Sequence, residues 1–100
     1  MNKVFAYGTL RYPDVRKKLL GHDPVHRSSS LKGFRMGTIT LDGVVYPIIA
    51  EDLLSDETIE GVYFQVNDDD LQKLDEYESD AYKRKLVELE DKVIAWVYYA

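Results

Sequence analysis

The chain contains no cysteine. Disulfide frameworks, cysteine-ligated zinc and thiol nucleophiles are thereby excluded, and 100 residues must hold together by packing alone. Such usage fits a reducing compartment. Long apolar runs are missing too: nothing approaches the roughly 20 residues needed to span a bilayer. The apolar opening of MNKVFAYGTL meets Gly8 at once, so no signal-length segment is visible there, and the expected location is the cytoplasm. Positive charge is scarce, with 13 Lys and Arg against 18 Asp and Glu and a formal net charge of −5. That balance does not suit phosphate neutralisation or anionic lipid, so neither nucleic acid nor membrane is an expected partner.

What the chain has in quantity is tyrosine, eight in 100 residues. Half-buried strands and the walls of small-molecule pockets both use that side chain, and composition does not choose between them. Length and a hydrophobic content of 45% give one domain, residues 1–100.

Patterning predicts a strand over Lys3–Tyr7, then a break at Gly8 and Thr9. A short helix follows from Pro13 to Leu20, with Val15, Leu19 and Leu20 at helical spacing and Gly21 as its stop. His22–Ser30 is polar and reads as a loop. Leu31–Leu41 reads as a strand bent at its glycines, and Asp42-Gly43 as a hairpin turn into a return strand, Val44–Ala50, which Pro47 marks as an edge or a break. After an acidic loop, Glu51–Thr58, come a strand over Ile59–Val66 and a helix capped by Asn67 that runs to about Tyr77. Tyr82–Glu88 and Val93–Tyr99 are the last strands, joined by a turn near Glu90-Asp91, with the final one expected to be central. Two helices among strand pairs indicate an α+β domain on a mostly antiparallel sheet.

Three motifs carry chemistry. Tyr7-Gly8-Thr9-Leu10 sits where a strand turns toward a helix. Gly8 allows close approach of a ligand, and successive amides there can seat a carboxylate or an oxyanion; the plainer account is a turn glycine. In Leu71–Glu78, the residues Leu71, Leu74 and Glu78 follow i, i+3, i+7 spacing and share one face, with Glu76 opposite and Asp75 and Tyr77 on the flanks. An inward carboxyl at a helix C-terminus is pushed toward neutrality and so suits general acid/base work. The plainer account pairs Glu78 with Lys83, Arg84 or Lys85. Third, Tyr82 and Arg84 share a face of a strand, placed to orient a substrate or hold Glu78, or equally to serve as a cross-strand aromatic and its charged neighbour.

Other clusters are less informative. Asp68, Asp69 and Asp70 complement a helix dipole and splay apart, so no metal site is expected there. His22 and His26 lack a third zinc ligand, and Ser28, Ser29 and Ser30 lack a G-x-S-x-G context.

Taken together, VFAYGTLR (Val4–Arg11), LKGFRM (Leu31–Met36), YPII (Tyr46–Ile49), IEGVYFQV (Ile59–Val66), LDEYES (Leu74–Ser79), YKRKLVEL (Tyr82–Leu89) and AWVYY (Ala95–Tyr99) resemble the γ-glutamylcyclotransferase-like family, which includes the γ-glutamylaminecyclotransferases and AIG2-like proteins. The resemblance implies an α+β fold, a small mixed, mostly antiparallel β-barrel with two short flanking helices. It implies a cofactor-independent enzyme, acting on a small-molecule γ-glutamyl substrate to release 5-oxoproline, without a metal. Glu78 would be catalytic, and Tyr7, Gly8, Thr9, Leu10, Tyr82 and Arg84 would bind substrate. A monomer or weak homodimer is expected. Two departures stand out: Ser79 follows Glu78 where relatives often carry Gly, and the sequence stops at Ala100 where relatives often continue. A non-catalytic metabolite-binding or interaction module on the same fold is the alternative.

Overall fold

The computed structural model describes every residue, Met1–Ala100. Five strands form the main sheet: β1 (Asn2–Ala6), β2 (His26–Leu31), β5 (Ile59–Val66), β6 (Lys83–Glu88) and β7 (Ile94–Tyr99), in the order β2-β5-β1-β7-β6. Strand β1 runs antiparallel to β5 and parallel to β7; the other neighbours are antiparallel. A separate two-stranded ribbon pairs β3 (Phe34–Leu41) with β4 (Val44–Glu51). Two helices complete the fold, α1 (Pro13–Leu20) and α2 (Asp68–Glu78).

Strand alternation sends successive side chains of β1 to opposite faces, and each face has its own core. Val4 and Ala6 pack with Leu20, Leu71 and Leu74 beneath the two helices. Phe5 and Tyr7 pack with Phe34 and Ile49 beneath the ribbon. The result is three layers: helices, sheet and ribbon. Strand β7 lies between β1 and β6 as expected of the most apolar segment.

The α+β architecture and mostly antiparallel pairing match the expectation, but the sheets do not close into a barrel. Edge strands β2 and β6 stay apart at opposite ends of the five-stranded sheet. Both edges are polar, HRSSS on one and Lys83-Arg84-Lys85 on the other, which suits strands left without a partner.

One element differs from the sequence reading. His26–Ser30, read as loop, is the first part of β2 and pairs from His26↔Phe64 to Leu31↔Ile59. Three serines carry no strand preference, so the ladder offered by β5 decides the conformation. The strand does not continue into β3, because Gly33 adopts φ 85° and turns the chain between layers. Elsewhere the reading and the structure agree closely. Asp42 (φ 51°) and Gly43 (φ 78°) make a turn of the kind that favours Asp-Gly between β3 and β4. The Asn67 side chain accepts the Asp70 amide at 2.8 Å to cap α2. Gly21 ends α1 at φ 82°, donating its amide to Lys17 C=O.

Candidate active site

Helix α2 points its C-terminal end at the loop that follows β1. Leu71 and Leu74 anchor its inner face in the core, and the same face brings Glu78 inward. The opposite face, with Glu76, is exposed. Thr9 Oγ1 and the Tyr77 hydroxyl lie 2.9 Å apart and tie the loop to the helix end. Between them opens a cavity of about 270 Å³, near the small end of ligand pockets. Its walls include Tyr7, Gly8, Thr9, Leu10, Glu78 and Tyr82, together with Leu41, Asp42, Val44, Tyr46 and Pro47 from the ribbon.

Glu78 has neither an ion-pair partner nor a side-chain hydrogen bond. The cations that could neutralise it are committed elsewhere or exposed. Arg84 makes a two-pronged contact to Asp75 (Nε–Oδ1 2.8 Å, a second nitrogen to Oδ2 3.0 Å), and Lys85 Nζ meets Glu51 Oε2 at 2.9 Å. Lys83 is exposed. The last turn of α2 holds no basic residue. Burial without compensation pushes the Glu78 carboxyl up to about 7.

Tyrosines surround this carboxyl, yet none is seen to donate to it. Tyr7 donates to Tyr98 C=O at 2.6 Å, Tyr82 to Pro47 C=O at 2.9 Å and Tyr98 to Asp75 Oδ1 at 2.7 Å. Burial raises all three hydroxyls, and the nearby Glu78 charge adds to each, so they stay protonated at neutral pH. Their protons are directed to fixed acceptors, which leaves Glu78 as the group in this wall free to exchange a proton with a ligand.

Facing it, the chain makes a 3-10 turn over Thr9–Arg11. Arg11 N–H bonds to Gly8 C=O and Tyr12 N–H to Thr9 C=O, both at 3.1 Å, whereas the opening amides of such a turn have no partner within it. Gly8 is held close: a Cβ there would stand 3.2 Å from Pro47 Cγ.

Two supports were not foreseen from sequence. Arg16, fully buried in α1, donates to Leu10 C=O (2.9 Å) and Arg11 C=O (2.8 Å), and reaches Asp23 Oδ1 (3.0 Å) and His26 Nδ1 (3.1 Å). It grips the turn from behind. The available signal was its i, i+4 relation to Leu20 on the inward stripe. Asp75, one turn before Glu78, collects Arg84 and Tyr98 and fixes the helix end against the sheet.

Arg84 therefore departs from its expected role. It does not line the cavity; it lies over the Trp96 ring at 4.1 Å and holds Asp75. A bidentate carboxylate and an aromatic face satisfy the guanidinium, so the side chain is drawn to the outer side of α2. Tyr7, Gly8, Thr9, Leu10, Tyr82 and Glu78 are brought together as one wall.

Ser79 ends α2 at φ 57°, ψ −166°, a region populated almost entirely by glycine. This is the position where the family resemblance leads one to expect Gly. Replacing Ser79 with Gly should relieve strain and raise stability by about 1 kcal/mol, after the extra unfolded-state entropy of glycine is subtracted. Urea denaturation midpoints check it, and a lowered midpoint would contradict the strain.

Layers of helix, sheet and ribbon around a small pocket define a class, the α+β proteins with a ligand-sized cavity at the junction of the layers. Within that class the chain belongs to the AIG2-like γ-glutamyl cyclotransferase family, whose profile ("Gamma-glutamyl cyclotransferase, AIG2-like") matches residues 4–100. It is 38% identical over 89 residues to AIG2-like protein C of Arabidopsis thaliana, a match covering 86% of this chain and 48% of that protein. With AIG2-like protein D of the same plant it is 37% identical over 89 residues, covering 89% and 57%. The chain thus spans about half the length of these curated relatives. A solution structure of another Arabidopsis thaliana protein superimposes with a TM-score of 0.83 at 29% identity, over 98% of this chain and 67% of that one. No helix here is long and apolar enough to cross a membrane.

Proposed function

We propose that this domain converts a γ-glutamyl amine or γ-glutamyl amino acid into 5-oxoproline and a free amine, with Glu78 as general acid/base. The observation that carries the proposal is the unpaired Glu78 carboxyl, pushed up to about 7, on the same cavity as the Gly8–Leu10 turn.

The chemistry is a cyclisation. The substrate's α-amino nitrogen attacks its own γ-carbonyl carbon; a new C–N bond closes the five-membered ring, and the original amide C–N bond breaks. The amine arrives as an ammonium, which cannot attack. Glu78 accepts its proton and later returns a proton to the departing nitrogen, so the balance is zero over the cycle. Gly8, Thr9 and Leu10 would offer amides to the substrate carboxylate or to the developing oxyanion. The ring of tyrosines shapes the cavity and keeps the folded glutamyl chain near its attack geometry.

A panel of γ-glutamyl amines and γ-glutamyl amino acids, assayed for 5-oxoproline, tests the reading. Because Glu78 must be ionised to accept the proton, kcat/KM should rise with pH through an apparent value of about 7 and level off above it. Ligand binding with no 5-oxoproline from any substrate would favour a non-catalytic module instead.

A further inference from the structure

The cavity carries charge of one sign. Glu78 and Asp42 line it, and no Lys, Arg or His does. Arg11, close in sequence to the turn, is committed to Gly8 C=O through Nε at 3.0 Å. Asp42 stands at the tip of the β3–β4 ribbon, exposed and without an ion-pair partner. Beside it the ribbon presents Leu41, Val44 and Pro47, an apolar strip between Asp42 and the turn.

Resting on the cyclotransferase reading, we propose that the leaving amine carries a second, protonated nitrogen at the end of an aliphatic spacer, as in a γ-glutamyl diamine or polyamine, and that Asp42 receives that cation. The glutamyl end belongs near Glu78 and the turn, so the leaving portion faces the ribbon. Methylenes suit the apolar strip, and an ammonium suits the carboxylate beyond it. A leaving amino acid would bring another carboxylate toward a wall that holds no cation, an unfavourable pairing of like charges. A cleft lined by one sign of charge also concentrates the oppositely charged ligand.

Turn chemistry alone also accounts for an Asp before Gly43, and this supplies a clean variant. Asn-Gly fits the same turn, so Asp42→Asn removes the charge and keeps the backbone. The experiment compares γ-glutamyl diaminobutane with γ-glutamyl butylamine, which differ mainly in the distal ammonium. Wild-type protein should prefer the diamine substrate by about five- to tenfold in kcat/KM, the scale of one partly exposed charge contact, and the preference should shrink with added salt. In Asp42→Asn the ratio should fall below about twofold. A wild-type ratio near one, or a ratio unchanged in Asp42→Asn, overturns the proposal. The same two compounds are titrated by calorimetry into Glu78→Gln protein, with and without Asp42→Asn. If neither compound yields 5-oxoproline, the cyclotransferase reading fails, and the calorimetric affinity ratio decides the Asp42 proposal by the same margins.

Discussion

Replacing Glu78 with Gln should lower kcat for 5-oxoproline release by about 10²- to 10⁴-fold and, at the same time, stabilise the protein at alkaline pH. The two effects share one cause. Gln copies the neutral carboxyl in shape but cannot take a proton from an ammonium. The folded-state value of about 7 lies above the ordinary 4.5, so the fold favours the protonated acid. Wild-type stability from this group is therefore present below about pH 4.5, declines as pH rises through 7, and is level above it. The variant should match wild type near pH 4 and exceed it near pH 8 by on the order of 3 kcal/mol at most, since the carboxyl keeps some solvent contact. Thermal melts across pH check the stability arm. A carboxylate in an ordinary ion pair would give the opposite trend, with the variant weaker at high pH.

Replacing Arg16 with Met should destabilise the fold by about 3 kcal/mol, because the Leu10 and Arg11 carbonyls lose their buried donor while the apolar volume is roughly kept. Asp23 is a smaller part of this loss, since it stands partly in solvent. The turn that Arg16 grips is the cradle wall, so a positioning role adds a second signature: KM should rise several-fold at a temperature where the variant is still folded. Arg16→Lys, which offers one nitrogen in place of a fork, should recover part of the stability but little of KM. Equal KM values across the series would leave Arg16 as a structural residue only.

The sequence was most readable where local pattern and tertiary demand coincide. Pro13–Leu20 carried its start and stop in Pro13 and Gly21, Ile59–Val66 showed near-alternation, and Asp42-Gly43 announced its turn. The i, i+3, i+7 stripe of Leu71, Leu74 and Glu78 was legible for the same reason: helical geometry alone sets the face. Strand β2 was not, because His26–Ser30 becomes a strand only through the partner that β5 provides thirty-odd positions later. Arg84 shows the complementary failure. Its position two residues after Tyr82 fixed a side of the strand but not a destination, and the choice between cavity and Asp75 was made by α2. The ribbon's share of the cavity, Asp42 and Pro47 among it, depends on how a separate layer docks, which no spacing within β3 or β4 encodes.

Carbon-detected NMR titration of the Glu78 side-chain carboxyl tests the central claim most directly, since the whole scheme needs an acid that holds its proton near neutrality beside the turn. The expected result is a midpoint near 7 that moves when 5-oxoproline is added. A midpoint in the ordinary glutamate range, unmoved by that ligand, would contradict it.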